Sequence, residues 1–271
     1  MVDSERFARL KGPGTLWIVA AIHGDAGRLG RLHALLAPQL RVADRIVYTG
    51  NFLGLGGDIL GTMNELLAFR RWFLGRPSAI LDDIAYLRGT QEEMWTKLLQ
   101  LHFAPNPREV LDWLVAQGAG ATLAAYGGSV ADGMASARAG AVALGRWTAA
   151  LRAAQTARPG HSQLMTAVKR AGLTDPKAVL IVHAGLDPDK AVSEQKDAFW
   201  WDAKGFNRLV AAERAYDGFA RVVRGYDRTA LGLVETPYTL TLDGGCGRGG
   251  PLLAVALAPD GQVLGSLSSD A

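Results

Sequence analysis

Among 271 residues there is a single cysteine, Cys246. An intramolecular disulfide is therefore excluded, and a reducing compartment, the cytoplasm, is the simpler expectation. Long hydrophobic runs are also missing. No stretch approaches the ~18 apolar residues of a membrane span, and residues 1–11 carry charges but no apolar core of signal-peptide length. Runs of one charge sign are absent as well. Lys and Arg total 29 against 26 Asp and Glu, a net charge of +3 with a pI of about 9.1. No basic stripe interleaves with aromatics, so neither nucleic acid nor membrane is an expected partner. The remaining composition, 49% hydrophobic and 20% charged with mean hydropathy +0.08, is that of a soluble α/β protein able to bury a sizeable core.

Short apolar runs rich in β-branched residues recur at 16–21, 45–49, 84–87, 179–183, 220–224, 238–242 and 252–257. Each is bounded by Gly, Pro or Asp, as buried strands are. Helical spacing separates the early ones, with Leu29, Leu32, Leu35 and Leu36 in 26–36, and Leu60, Met63, Leu66, Leu67 and Phe73 in 60–74. This alternation predicts βαβ units and a largely parallel sheet in the first half. In the last third strands follow one another closely, with a Pro-Asp-Gly turn at 259–261 before 262–267, and a second, more antiparallel sheet is expected. The middle, about 93–175, reads as a helical insertion into a single domain spanning 1–271. Its Gly/Ala-rich part at 118–145 keeps Leu123, Tyr126, Val130, Met134, Val142 and Leu144, too many apolar anchors for a disordered tether.

Four predicted strand ends carry polar or turn-forming residues: A-I-H-G-D (21–25), T-G-N-F-L-G-L-G (49–56), L-R-G-T-Q-E (87–92) and V-H-A-G-L-D-P (182–188). Ligands of α/β folds gather beyond the carboxyl ends of parallel strands, so these turns are expected to converge on one site. Their order resembles that of the calcineurin-like metallophosphoesterases, most closely the phosphoprotein phosphatase branch with its serine/threonine phosphatases and symmetrical diadenosine tetraphosphatases. That family reads G-D-I-H-G, G-D-x-x-D-R-G, R-G-N-H-E, H-A-G and G-H-T. The counterparts here are A-A-I-H-G (20–24), G-N-F-L-G-L-G (50–56), R-G-T-Q-E (88–92), H-A-G (183–185) and R-G-Y-D (224–227). W-L-V-A-Q-G-A-G-A-T-L-A-A-Y-G (113–127) and T-L-D-G-G-C-G-R-G-G-P-L-L-A-V-A-L (241–257) extend the likeness over almost the whole chain. The resemblance implies a four-layer α/β/β/α sandwich of two mixed sheets flanked by helices.

It also implies two metal ions held by six side chains. At those positions stand Ala21, His23, Asn51, Thr90, His183 and Tyr226. His23 and His183 match; Ala21, Thr90 and Tyr226 do not, and Asn51 replaces a bridging carboxylate by a neutral amide. Two adjacent divalent ions need anionic ligands, so no cofactor is expected, or at most one divalent ion, zinc, manganese or nickel. Gln91 stands for the histidine that protonates the leaving group, and an amide has no proton to give at neutral pH. Gly54 stands for the aspartate that orients it, and Leu55 for a neighbouring phosphate arginine. Arg88 keeps the family's phosphate-binding position.

The resemblance thus leads to a degenerate member: a pseudophosphatase with a binding or regulatory role toward a protein or phosphorylated ligand. The alternative is a divergent metal-dependent phosphoric ester hydrolase acting on phosphomonoesters or dinucleoside polyphosphates, with a single-metal or shifted site rebuilt from Asp25, Asp58, Glu92 or Asp227. The plain reading of these acids is a cap or turn for Asp25 and Asp58, and an exposed helix start for Glu92 and Glu93. His33 and His102 read as partly buried helix residues, His161 as a surface turn residue, and Cys246 as lacking an adjacent base.

Overall fold

A computed structural model describes residues 5–270; residues 1–4, part of the N-terminal stretch discussed above, lie outside the described residues, as does Ala271. The order is β1 Phe7–Lys11, β2 Leu16–Val19, α1 Ala26–Leu36, β3 Arg45–Tyr48, α2 Ile59–Leu74, β4 Ile84–Tyr86 and α3 Thr90–Leu99. Helices α4 Pro107–Leu114, α5 Gly120–Ala125, α6 Val130–Ala139, α7 Ala141–Thr156 and α8 His161–Ala167 follow. The chain ends with β5 Ala171–Asp175, β6 Val179–Val182, α9 Ala198–Trp201, α10 Ala203–Ala212, β7 Arg221–Arg224, β8 Gly232–Glu235, β9 Thr239–Asp243, β10 Leu253–Leu257 and β11 Val263–Ser268.

Two mixed sheets result, one of order β11-β10-β2-β3-β4 and one of order β1-β5-β6-β7-β9-β8. The strands β2, β3 and β6 are apolar at nearly every position because both of their faces are covered. In β6 the alternation sorts the residues cleanly. Val179 and Ile181 join the core between the sheets, while Leu180 and Val182 pack outward against Phe199 and Phe206 of α9 and α10. The outer face of the five-stranded sheet is covered by α1 and α2 through Leu29, Leu32, Met63 and Leu66. Helices, two mixed sheets and helices form the expected four layers.

Three details differ from the sequence reading. The strands of the last third do not make a sheet of their own. Instead β10 pairs antiparallel with β2 and extends the first sheet, while β7 and β9 pair parallel with β6 and complete the second. The helical middle stops at Ala167, and β5 already belongs to the second sheet, parallel to β1. Finally, β1, β5 and β8 were not anticipated. Two of them are sheet edges, β1 with Arg9 and Lys11 among its residues and β8 without a buried position, and β5 contains Gly172 and ends in Asp175, so none shows the apolar signature of a central strand.

Candidate functional site

The turns after β2, β3, β4 and β6 do meet. The His23 amide donates to the Asn51 carbonyl (2.5 Å) and the Gly56 amide to the His23 carbonyl (2.5 Å), so the first two turns are stitched together through backbone. Both His23 (φ 55°) and Asn51 (φ 53°) lie in the left-handed region, which non-glycine residues seldom occupy outside special turns. Such conformations persist only where surrounding contacts over-determine them. Here the contacts are close. A Cβ on Gly247 would lie 2.3 Å from that of His23, and one on Gly54 would lie 2.7 Å from Gln91 Cγ and 3.2 Å from His23 Nδ1.

Hydrogen bonds fix the side chains. Asn51 Oδ1 accepts from the Gln91 amide (2.9 Å), which turns Asn51 Nδ2 toward His23 Nε2 at 3.2 Å. An amide NH2 only donates, so His23 Nε2 accepts and the neutral ring carries its proton on Nδ1. That Nδ1 is buried without a partner, as is Gln91 Oε1. His183 Nδ1 lies 2.7 Å from the Thr49 carbonyl and must donate to it. His183 Nε2 is then an acceptor, 3.1 Å from Thr90 Oγ1, which also lies 3.0 Å from the Trp200 carbonyl. Tyr226 closes the cluster: its ring stacks on His183 (5.1 Å, 7°) and tilts against His23 (5.4 Å).

Burial makes both imidazoles poor bases. Desolvation first, then the charges of His183 and Arg248, lower the His23 pKa to about 3. Desolvation lowers His183 to about 4, partly opposed by its bond to the Thr49 carbonyl. Both rings are neutral at pH 7.

Among the described residues no carboxylate is hydrogen-bonded to either ring. Asp25 caps α1 through the Arg28 amide (3.0 Å) and Asp58 caps α2 through the Gly61 amide (2.8 Å), as the plain reading had it. The reading of Glu92 as an exposed helix-start acid is wrong. Its side chain is inserted into the turns, where it accepts from the amides of Asn51 (2.7 Å), Leu53 (3.1 Å) and Gly89 (2.8 Å), and the residue is fully buried. Desolvation raises its pKa and the three backbone donors oppose the rise. Asp227 pairs with Arg224 and accepts from Thr229. Arg88, only partly exposed, is paired with Glu93 (2.9 Å), which also holds Lys97 (3.2 Å).

Sequence reasoning missed the ion cluster beneath Tyr226. Asp243 is fully buried, accepts from the Asp227 and Gly245 amides, and pairs with Arg248 (2.8 Å), whose guanidinium lies 5.5 Å from the Tyr226 ring. Two arginines, 224 and 248, face two aspartates, 227 and 243, so the cluster is electrically balanced. Asp243 stands in the 241–257 stretch already noted, but its partners lie 2, 5 and 16 positions away and no spacing rule joins them. His161 also departs from the expected surface turn. It opens α8 fully buried, between Tyr126 Oη (3.0 Å) and Asn64 Oδ1 (3.1 Å). Cys246 is buried, donates to the Ile22 carbonyl (3.1 Å), and burial pushes its thiol up to about 12, away from any nucleophilic role.

The sequence resemblance implies divalent metal ions at these strand ends, and the residues present do not fit them. The Asn51 oxygen is turned away to Gln91, Thr90 bonds where a ligand oxygen would stand, and among the described residues no three His, Cys, Asp or Glu side chains gather as a metal would need. No chemical step is therefore derived through a metal.

No protein-family model and no curated protein matches the sequence. Solved structures do. A crystal structure of a protein provisionally assigned as a diadenosine tetraphosphatase superposes with TM-score 0.58 at 19% identity, covering 97% of each chain. A protein serine/threonine phosphatase from Saccharomyces cerevisiae has TM-score 0.49 at 11% identity, over 93% of this chain and 76% of that one. A metallophosphoesterase from Sphaerobacter thermophilus has TM-score 0.46 at 12% identity, over 95% and 87%. The first of these, with the layer order above, shows that the chain shares that protein's fold of two mixed sheets between helices. Among the described residues no helix is long and apolar enough to cross a membrane.

Proposed function

We propose that this protein is a pseudophosphatase: a metallophosphoesterase-fold protein whose site is held in shape by hydrogen bonds between neutral groups, and which serves in binding or regulation rather than hydrolysis. The observation that carries this reading is the Asn51 amide, whose oxygen is committed to the Gln91 amide while its NH2 faces His23 Nε2. Where the family resemblance calls for a bridging anion, the chain offers a donor to the ring. Around it the acids are engaged elsewhere: Glu92 with backbone amides, Asp227 and Asp243 with arginines. A hydrolytic mechanism of the two-metal kind needs an activated hydroxide and a cationic clamp on the phosphoryl oxygens, and neither has residues to build it here.

The test is hydrolysis of p-nitrophenyl phosphate and of a dinucleoside polyphosphate with added manganese, zinc or nickel. The expected result is turnover no different from the metal-only control. Turnover above that control, abolished by His23→Ala in a folded variant, would overturn the reading in favour of a divergent phosphoesterase.

A further inference from the structure

Away from the four turns, a cavity of about 280 Å³ opens where the edges of the two sheets come together. Its walls take residues from β1, the outer strand of one sheet, and from β4, the outer strand of the other. It shares no residue with the cluster around His23 and His183. The segment entering β5 joins the two edges: the Lys169 amide donates to the Tyr86 carbonyl (2.8 Å) and the Arg88 amide to the Lys169 carbonyl (2.7 Å).

The lining is cationic. Arg9 and Lys11 come from alternate positions of β1, Arg70 from α2, and Lys169, whose Nζ donates to the Glu5 carbonyl (3.0 Å), from the bridging segment; Asp82 is the one acid in the lining. Tyr86 belongs to the same wall. It is 4% exposed, and its hydroxyl is buried with no hydrogen-bond partner. Leaving such a group unpaired costs about 1–3 kcal/mol, and nothing in the packing lets it turn away. The ring is stacked on Tyr48 (5.1 Å, 5°) and held edge-on by Phe52 (5.9 Å, 81°). The positive charge of Arg70 acts on this phenol, which burial keeps protonated and hence a donor. Leu81 lines the cavity as well and is 65% exposed. It continues with Ile80, 60% exposed, into an adjoining apolar hollow. Exposed aliphatic surface of this kind beside converging charges is the usual make-up of a small-molecule site.

We propose that this sheet-edge cleft binds a small organic phosphate monoester. The dianionic head would sit between Arg70 and Lys11 and accept from the Tyr86 hydroxyl, while the apolar body would lie on Leu81 and Ile80. Guanidinium and ammonium groups together with a neutral donor suit phosphate oxygens, and several cations favour a dianion over a monoanion of similar shape.

Calorimetric titration with phenyl phosphate, inorganic phosphate and benzoate, with amide chemical-shift mapping, tests it. Phenyl phosphate is expected to bind one per chain, at least tenfold more tightly than either of the other two. The shifts should centre on residues 9–11, 70, 84–86 and 169. Arg70→Gln and Tyr86→Phe should each weaken binding about tenfold; Arg70→Gln should keep the wild-type urea midpoint, and Tyr86→Phe, which removes an unpaired buried hydroxyl, should match or exceed it. The proposal is overturned by an absence of saturable binding at millimolar phenyl phosphate, by affinities unchanged in both variants, by equal affinity for benzoate, or by shifts centred on residues 23, 51, 54 and 183.

Discussion

The two places where this fold gathers polar groups are built on opposite plans. At the strand-end turns most donors and acceptors are spent inside the protein: Asn51 on His23 and Gln91, the one Thr90 hydroxyl proton between the His183 ring and the Trp200 carbonyl, Glu92 on three amides, while His23 Nδ1 and Gln91 Oε1 stay unpaired. In the sheet-edge cleft Arg70 and Lys11 line an open cavity, and a buried hydroxyl, that of Tyr86, stays unpaired. One arrangement is bonded mostly within itself and the other opens on a cavity. A site that has turned inward contributes to stability, whereas a site left open contributes to binding, and substitutions at the two should separate along that line.

The largest effect is expected at Glu92. Glu92→Ala would leave the Asn51, Leu53 and Gly89 amides buried without partners, each costing about 1–3 kcal/mol. Urea unfolding should show a loss of roughly 3 kcal/mol or more, and Glu92→Gln, which keeps one acceptor oxygen, a smaller one. An unchanged midpoint in the alanine variant would break the contrast.

Acidification comes next. The folded-state pKa values of His23 and His183, about 3 and about 4, lie below the unfolded value of about 6.5. As pH falls the unfolded chain takes up protons first. The stabilisation is complete above pH 6.5 and is lost as pH drops toward 4 and then 3, at about 1.4 kcal/mol per pH unit for each ring. Glu92 and Asp243, whose pKa values are raised, act in the opposite sense over the carboxylate range. A fall of roughly 4 kcal/mol in unfolding free energy between pH 7 and pH 5 is expected from the two rings together, and a flat profile there would contradict neutral buried imidazoles.

Thr90→Val should cost about 1 kcal/mol, since it leaves His183 Nε2 without its hydroxyl. The smallest change belongs to the cleft: Arg70→Gln should leave stability within about 0.5 kcal/mol of wild type, while removing a charge from the open site.

Much of this frame was legible in the sequence because the central strands are covered on both faces, and 16–19, 46–48 and 179–182 accordingly read as short apolar runs. The turns were legible because His23, Asn51 and His183 follow those runs directly. Edge strands such as β1 and β8 escaped notice, since one side of each faces solvent and their pattern matches that of a loop. Glu92 escaped for a different reason: an acid in the first turn of a helix looks the same whether it meets water or, as here, a neighbouring loop 39 to 41 residues away. His161 is alike, with partners 35 and 97 positions distant. Local patterns disclose burial that repeats along the chain, whereas single polar side chains are settled by contacts no local pattern encodes.

The central claim, that the strand-end site is complete without a metal, is tested most directly by a long-range ¹⁵N correlation spectrum of the imidazoles at pH 7, recorded before and after one equivalent of zinc. His23 and His183 should both appear as neutral rings protonated on Nδ1, with Nε2 signals that zinc does not move. Displacement of either Nε2 to a metal-bound position at stoichiometric zinc would contradict the account.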